Sequence, residues 1–394
     1  AEASGVFVAA LGEAGGRRLL AADSAAIHAP PGHVLFVRQG TLFAQAFDAS
    51  SRELAGDPVA LAQAVSAEGS APAFSVSGTG VLTYRTGPAA SDRQQLVWFD
   101  RAGTRLETVG PPGTYRGVDL SPDGTRIAVH DHRGDGGDIW VIEPRGTVTR
   151  VTSDPARDNS SAIWSPDGTR IAFGSLRDGR WGLYRKRADG EGNEELLLES
   201  ETPKIPASWS PDDTHILYWQ YDDEAPHQYA LPLRGDPTPS RLLSVRAYDG
   251  HSQVSPDGRW IAYMTPASGR AEVFVRPFPS GEGVWQISTN GGVTPRWRRD
   301  GKELYYMTAY DHGSLTAVSI DVADGALTPG QPRELFRVDM AVVPHSTVVQ
   351  NFHTYAVAPD GERFVIPVPA ATLAGGHSAP AIAVVLGWPA LLGH

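Results

Sequence analysis

The chain has 394 residues, with 45 acidic against 34 basic side chains, a net charge of −11 and no cysteine. Disulfides, thiolate metal sites and cysteine nucleophiles are thereby excluded, and an acidic chain without a Lys/Arg run lacks the basic stripe that nucleic acid or an anionic membrane requires. No apolar run approaches the roughly 20 residues that span a bilayer, and the opening AEASGVFVAALGEAGGRRLL lacks the basic, apolar and cleavage-site order of a signal peptide. We therefore expect no nucleic-acid partner, no membrane insertion by this chain, and a monomer.

With 43 glycines, 31 prolines and no long helical periodicity, the composition favours an all-β chain rich in turns. The first apolar pair, GVFVAAL and RRLLAAD, has no inner strands of its own. Weak turn cues follow at APPGHVLF around Gly32 and SGTGVLTY around Gly80. Full copies of one turn then appear at Ser121-Pro122-Asp123-Gly124, Ser165-Pro166-Asp167-Gly168, Ser210-Pro211-Asp212-Asp213, Ser255-Pro256-Asp257-Gly258 and Ala358-Pro359-Asp360-Gly361, with WRRDG ending at Gly301 as a degenerate copy. Their aspartates Asp123, Asp167, Asp212, Asp257, Asp300 and Asp360 stand 44, 45, 45, 43 and 60 residues apart. Proline presets φ, aspartate bonds nearby amides, and glycine takes the positive φ that closes a short hairpin, so the motif is a structural corner.

Each corner joins a short inner strand such as SAIW to a second such as RIAFGS, and two more follow, for example WGLYRKR and EELLLES. Four strands per roughly 45 residues is the arithmetic of a β-propeller blade. Units starting near residues 27, 71, 115, 159, 204, 249, 292 and 352 predict one domain over 1–394 with eight blades, seven being the alternative. Residues 1–26 are expected to complete the last blade, 352–394, and so remove a bare sheet edge. Trp164, Trp209 and Trp297 share one repeat position with Leu120, Val254 and Val357, which marks them as core between neighbouring sheets.

The units WSPDGTRIAF, DIWVIE, LYRKRADG, PRWRRDGKELYYM and LFVRQGTLFAQAFDASSRELAGDPV resemble the TolB-like propeller, most closely the carboxy-terminal propeller of bacterial membrane-anchored serine/threonine protein kinases. The resemblance implies an extracytoplasmic sensor or protein-interaction domain, periplasmic or at the cell surface. No kinase motif and no G-x-S-x-G elbow occurs in the chain.

In a propeller, inner-strand starts and the loops between second and third strands share one face. On that rule His130, His132, His227, His251, His312 and His353 fall together with Asp131, Asp135, Asp138, Asp222, Asp223, Glu224, Asp249 and Asp311. We expect a protein or small-molecule ligand at the channel mouth through His251, His353, Asp249, Tyr115 and Arg116. A divalent ion, zinc or calcium, is expected at His251, His353, His130, His132 and Asp249, since imidazole and carboxylate together suit such ions. The function expected first is a ligand-binding or interaction propeller. The alternative is a metal-dependent hydrolase of phosphoesters or lactones.

Overall fold

The computed structural model describes residues 5–9, 16–22, 25–63, 65, 74–86, 93–133, 136–144, 146–152, 158–222, 225–243, 250–266, 269–309, 312–323, 325–340, 353–373 and 381–392. The chain divides into two compact units, Asp92–Ala370 and Ala1–Ser91 with Ala371–His394.

The larger unit is built of four-stranded antiparallel sheets. Blade I comprises Tyr115–Leu120, Ile127–Arg133, Gly136–Ile142 and Val148–Arg150, and blade II comprises Asp158–Trp164, Arg170–Arg177, Arg180–Arg187 and Glu195–Ser200. Blade III is Lys204–Trp209, His215–Asp222, Ala225–Pro232 and Ser240–Leu243, and blade IV is Gly250–Val254, Trp260–Thr265, Glu272–Pro277 and Trp285–Gln286. Blade V uses Val293–Trp297, Glu303–Met307, His312–Ala323 and Arg333–Asp339, its long third strand also pairing with Ala326–Pro329. Blade VI takes its inner strands, Ala356–Val357 and Arg363–Pro369, from late in the chain and its outer ones, Gln94–Asp100 and Arg105–Gly113, from early in it. Innermost strands neighbour one another in the order I to VI, and VI returns to I.

This corrects the expected closure. Six blades complete the ring, not eight, and residues 94–113 close it in place of 1–26. Among the described residues, Val6–Val8 pairs with Arg17–Leu20. The physical reason lies in the QQLVWFD segment, whose register places Phe99 opposite Phe364 and Val97 opposite Ile366. Both of its faces are buried: Leu96 and Trp98 pack with Val118, Ile127 and Val129 of blade I, while Phe99 stacks on Phe336 of blade V at 5.7 Å. A strand sandwiched between two blades needs apolar residues on both faces, and this segment has them.

The repeated turns share one bonding scheme. Ser121 Oγ donates to Asp123 Oδ1 at 2.5 Å, and Asp123 accepts from the Thr125 amide at 3.0 Å. Asp167 and Asp212 repeat these contacts, and Gly168 sits at φ +69°. These hydrogen bonds hold Asp123 and Asp167 below the ordinary carboxylate range, the serine hydroxyl contributing most. The inner strands carry a second repeated feature, a register shift near their starts in blades I to V. In blades II, IV and V the bulge holds a left-handed residue, Ser161, His251 and Thr294. Such bulges bend a strand and re-aim its side chains, here around the channel.

The smaller unit contains the four-stranded sheet Ile27–Ala29, His33–Arg38, Thr41–Asp48 and Glu53–Ala62. A second sheet joins Phe74–Val76 and Val81–Thr86 to Ala381–Leu386. Trp388 packs among Leu35, Val37, Leu42 and Leu82 in its core.

Candidate functional site

At the end of the ring where the Ser-Pro-Asp-Gly turns lie, the channel opens into a cavity of about 420 Å³ to which all six blades contribute. Its walls carry Trp164, Trp209 and Trp297, its rim carries turn prolines such as Pro211 and Pro256, and Arg299 stands at the mouth. The indoles are 5–8% exposed and belong to the buried clusters between blades, so the expected core role holds. Arg299 Nη1 donates to the Pro122 carbonyl.

Polar side chains gird the channel at the inner-strand position just before the repeat position held by Leu120, Trp209, Val254 and Trp297. Asp119 of blade I accepts from the Trp164 amide of blade II at 2.9 Å. Ser208 of blade III accepts from the Val254 amide of blade IV at 3.1 Å, and Gln253 accepts from the Trp297 amide of blade V at 2.7 Å. Arg296 donates towards the Tyr355 carbonyl of blade VI at 3.5 Å. Each of these residues thus satisfies a backbone group of the next blade that the sheet ladders leave open.

His353 lies deep in this channel. Its Nε2 donates to the Ala207 carbonyl at 2.9 Å, its Nδ1 stands 3.6 Å from Asp119 Oδ1, and its carbonyl accepts from the Val118 amide at 2.8 Å. Burial, reinforced by the Arg296 charge, pushes the imidazole below its usual range against the pull of Asp119. His353 is therefore a neutral strut across three blades.

A second constellation stands at the opposite end of the inner strands. The second strand of blade I brings His130 and His132 to Asp158, the first residue of blade II. His130 Nε2 and His132 Nδ1 lie 3.6 and 3.4 Å from Asp158 Oδ1, and the two rings meet edge to face at 5.5 Å. Both His130 nitrogens, His132 Nδ1 and Asp158 Oδ1 are buried without a hydrogen-bond partner. Burial pushes His130 down in spite of the carboxylate, so the ring keeps a lone pair at neutral pH. Burial alone would raise Asp158, but the two imidazoles outweigh it and hold the carboxyl below the ordinary range. Asp158 and Asp119 are at opposite ends of their strands, and along one strand the six steps from Asp158 to Trp164 measure about 20 Å at 3.3 Å per residue.

The remaining expected residues are distributed as follows. His251 is the left-handed bulge residue of blade IV and is buried, a backbone role that histidine fills better than most non-glycine residues. Tyr115 packs in the core against blade VI and its hydroxyl donates to the Pro111 carbonyl. Arg116 lies close enough to His130 for its charge to disfavour the protonated ring. His227 is engaged by Arg241 on the outer strands of blade III at 2.6 Å, and Asp138 by Arg150 and Thr152, both at 2.8 Å. Asp249 lies outside the described residues, as do Asp135, Asp223, Glu224 and Asp311. Sequence reasoning passed over Asp158, Asp119 and Arg296. The signal for Asp158 is its place at an inner-strand start, in the segment DNSSAIW, the same kind of position that singles out Asp249, His251 and His353.

A family described as the TolB beta propeller domain matches residues 71–231. The solved structure of a TolB-type protein from Agrobacterium tumefaciens superposes with a TM-score of 0.56 at 19% identity, covering 70% of this chain and 98% of that one. The uncharacterized protein Atu1656 of Agrobacterium fabrum is 22% identical over 251 residues, 61% of this chain and 83% of its own length. The uncharacterized peptidase YuxL of Bacillus subtilis is 25% identical over 171 residues, and the alignment spans only 24% of YuxL. The chain has the fold of a TolB-like β-propeller. No helix among the described residues is long and apolar enough to cross a membrane.

Proposed function

We propose that the protein is a binding module, and that its ligand is a polypeptide segment received at the Ser-Pro-Asp-Gly mouth of the channel. The observation that carries this reading is the cavity itself, concave, walled by indoles and prolines from every blade, with a guanidinium at its lip. Aromatic and proline surfaces offer large contact area at low conformational cost, and Arg is favoured at binding hot spots. The lining hydroxyls are already committed: Ser121, Ser165 and Ser255 donate to Asp123, Asp167 and Asp257 at 2.5, 2.6 and 2.5 Å. That arrangement suits a rigid rim better than a nucleophile, which needs an adjacent general base. The sensor role and extracytoplasmic setting implied by the kinase-type resemblance belong to the same proposal.

The test is selection of a displayed random-peptide library against the purified chain, with affinities measured by calorimetry for the selected peptides. Binding should weaken about 10-fold in Arg299→Glu and Pro256→Asp, both rim changes, as expected for hot-spot losses above 1 kcal/mol. Selection of no peptide, or of peptides indifferent to both substitutions, would overturn the reading.

A further inference from the structure

The second constellation is separate from that mouth, and its geometry carries an inference independent of the channel ligand. We propose that His130, His132 and Asp158 form a divalent-metal site of the zinc class, bridging the second strand of blade I to the first residue of blade II. Three observations converge. The candidate ligand atoms, one from each residue, all lie within 4.8 Å of one another. A tetrahedral ion with ligand bonds near 2.0–2.1 Å sets neighbouring donors about 3.4 Å apart, and the two imidazole-to-carboxylate separations are 3.6 and 3.4 Å. The donor atoms are buried and lack hydrogen-bond partners. Orphaned polar atoms at such depth are costly, and a shared cation would satisfy His130 Nε2, His132 Nδ1 and Asp158 Oδ1 at once.

The third observation is Gly137, on the neighbouring strand of blade I. A Cβ there would stand 2.0 Å from His130 Nε2 and 3.1 Å from Asp158 Oδ1. Its φ is not in the left-handed region, so the backbone does not require glycine. What glycine supplies is the open space in front of the two donor atoms. Asn159 Nδ2 donates to the Gly137 carbonyl at 3.3 Å and its Oδ1 accepts from Ser175 Oγ at 2.8 Å, which fixes that strand beside the pocket.

Two imidazoles and one carboxylate suit zinc, cobalt or nickel better than calcium, which takes six to eight oxygen ligands. Three protein ligands leave one position for water or for a donor atom of a ligand. His132, at 16% the most exposed of the three side chains, would set that position toward solvent. The cation would also tie two blades together at the end of the ring remote from the turn prolines.

The experiment uses the full chain stripped with chelator and titrated with zinc by calorimetry, with cobalt added in parallel and its visible ligand-field bands recorded. Wild type should bind one equivalent, show the intense bands of a tetrahedral centre, and melt at a higher temperature when loaded, because an ion that binds only the folded state stabilises it. His132→Ala should weaken binding about 100-fold, and unfolding midpoints of the metal-free variant should show that the fold is intact. Gly137→Ala should do the same without removing any donor atom, because its Cβ would push His130 Nε2 out of the pocket. His227→Ala, on the outer strands, should bind as wild type does. Absence of zinc binding by wild type, or equal binding by His132→Ala and His227→Ala, would overturn the site.

Discussion

Arg101 and Glu303, 202 residues apart in sequence, meet through two parallel hydrogen bonds, Nη1 to Oε2 at 3.0 Å and Nη2 to Oε1 at 2.9 Å. Arg101 follows the strand Gln94–Asp100 that closes blade VI, and Glu303 opens the second strand of blade V. The Glu303 carboxylate also accepts from Arg298 at 2.8 Å and Tyr305 at 2.7 Å, while Arg101 reaches the Gly361 carbonyl at 2.9 Å. Both charges are mostly shielded, and the pair binds the early segment to blades V and VI. Glu303 is held below the ordinary carboxylate range because these bonds outweigh its burial, and burial beside Glu303 drives the Tyr305 hydroxyl upward.

Removing one partner leaves the other charged and partly desolvated. Glu303→Ala should therefore destabilise the larger unit by about 2 kcal/mol, below the 3–5 kcal/mol of a fully buried pair. Arg150→Ala, which breaks the more exposed pair to Asp138, should cost less than about 1 kcal/mol. Urea unfolding of both variants checks the contrast, and equal midpoints would remove the network's role in closure.

Asp119 supports the next prediction. It holds the Trp164 amide and faces His353, so Asp119→Ala orphans a buried donor and should cost about 1–3 kcal/mol. Asp119→Asn keeps an acceptor for the amide and should recover at least half of that loss. Thermal unfolding of the two variants gives the comparison.

The repeat and the blade were legible because turn chemistry and strand alternation are local, and residues 115–300 follow one period. The closure was not legible. QQLVWFD and RFVIPVP lie more than 250 residues apart, and neither carries a cue that names its partner. Regular spacing of the weak turns at Gly32 and Gly80 suggested two more blades, whereas Val81–Thr86 pairs with Ala381–Leu386 in the smaller unit. The same limit applies to the sites. His130 and His132 stand out by type and spacing. Asp158 becomes their partner only when one blade is set against the next, and Asp119 reads as an ordinary strand aspartate until its neighbour's amide is in view.

The third full turn breaks the glycine rule, and the structure accounts for it. Asp213 sits at φ +57° and its Oδ1 accepts from Trp209 Nε1 at 2.9 Å, whereas Trp164 and Trp297 donate to the Asp119 and Gln253 carbonyls at 3.1 and 3.2 Å. Asp213→Gly should relieve the left-handed strain but lose that bond, two effects of about 1 kcal/mol each and opposite sign. Its stability should stay within about 0.5 kcal/mol of wild type. Asp213→Ala keeps the strain and loses the bond, so it should fall by about 1–2 kcal/mol. Denaturant midpoints of the pair separate the two contributions.

The last prediction concerns pH and follows from His353. Its folded-state affinity for protons is depressed by burial and by Arg296, while an exposed histidine in the unfolded chain titrates near 6.5. Above that value both states are neutral and the group contributes nothing to the pH dependence. Below it the unfolded chain binds a proton that the folded chain resists, so stability falls as pH falls, by at most about 1.4 kcal/mol per pH unit for this one group. His353→Gln keeps a donor for the Ala207 carbonyl and cannot take up the proton. It should be less stable than wild type at pH 7.5 and show a shallower loss between pH 6.5 and 5. The measurement is a set of unfolding midpoints across that range at fixed ionic strength. A slope unchanged by the substitution would mean that His353 is protonated in the folded ring, with Asp119 as its counterion.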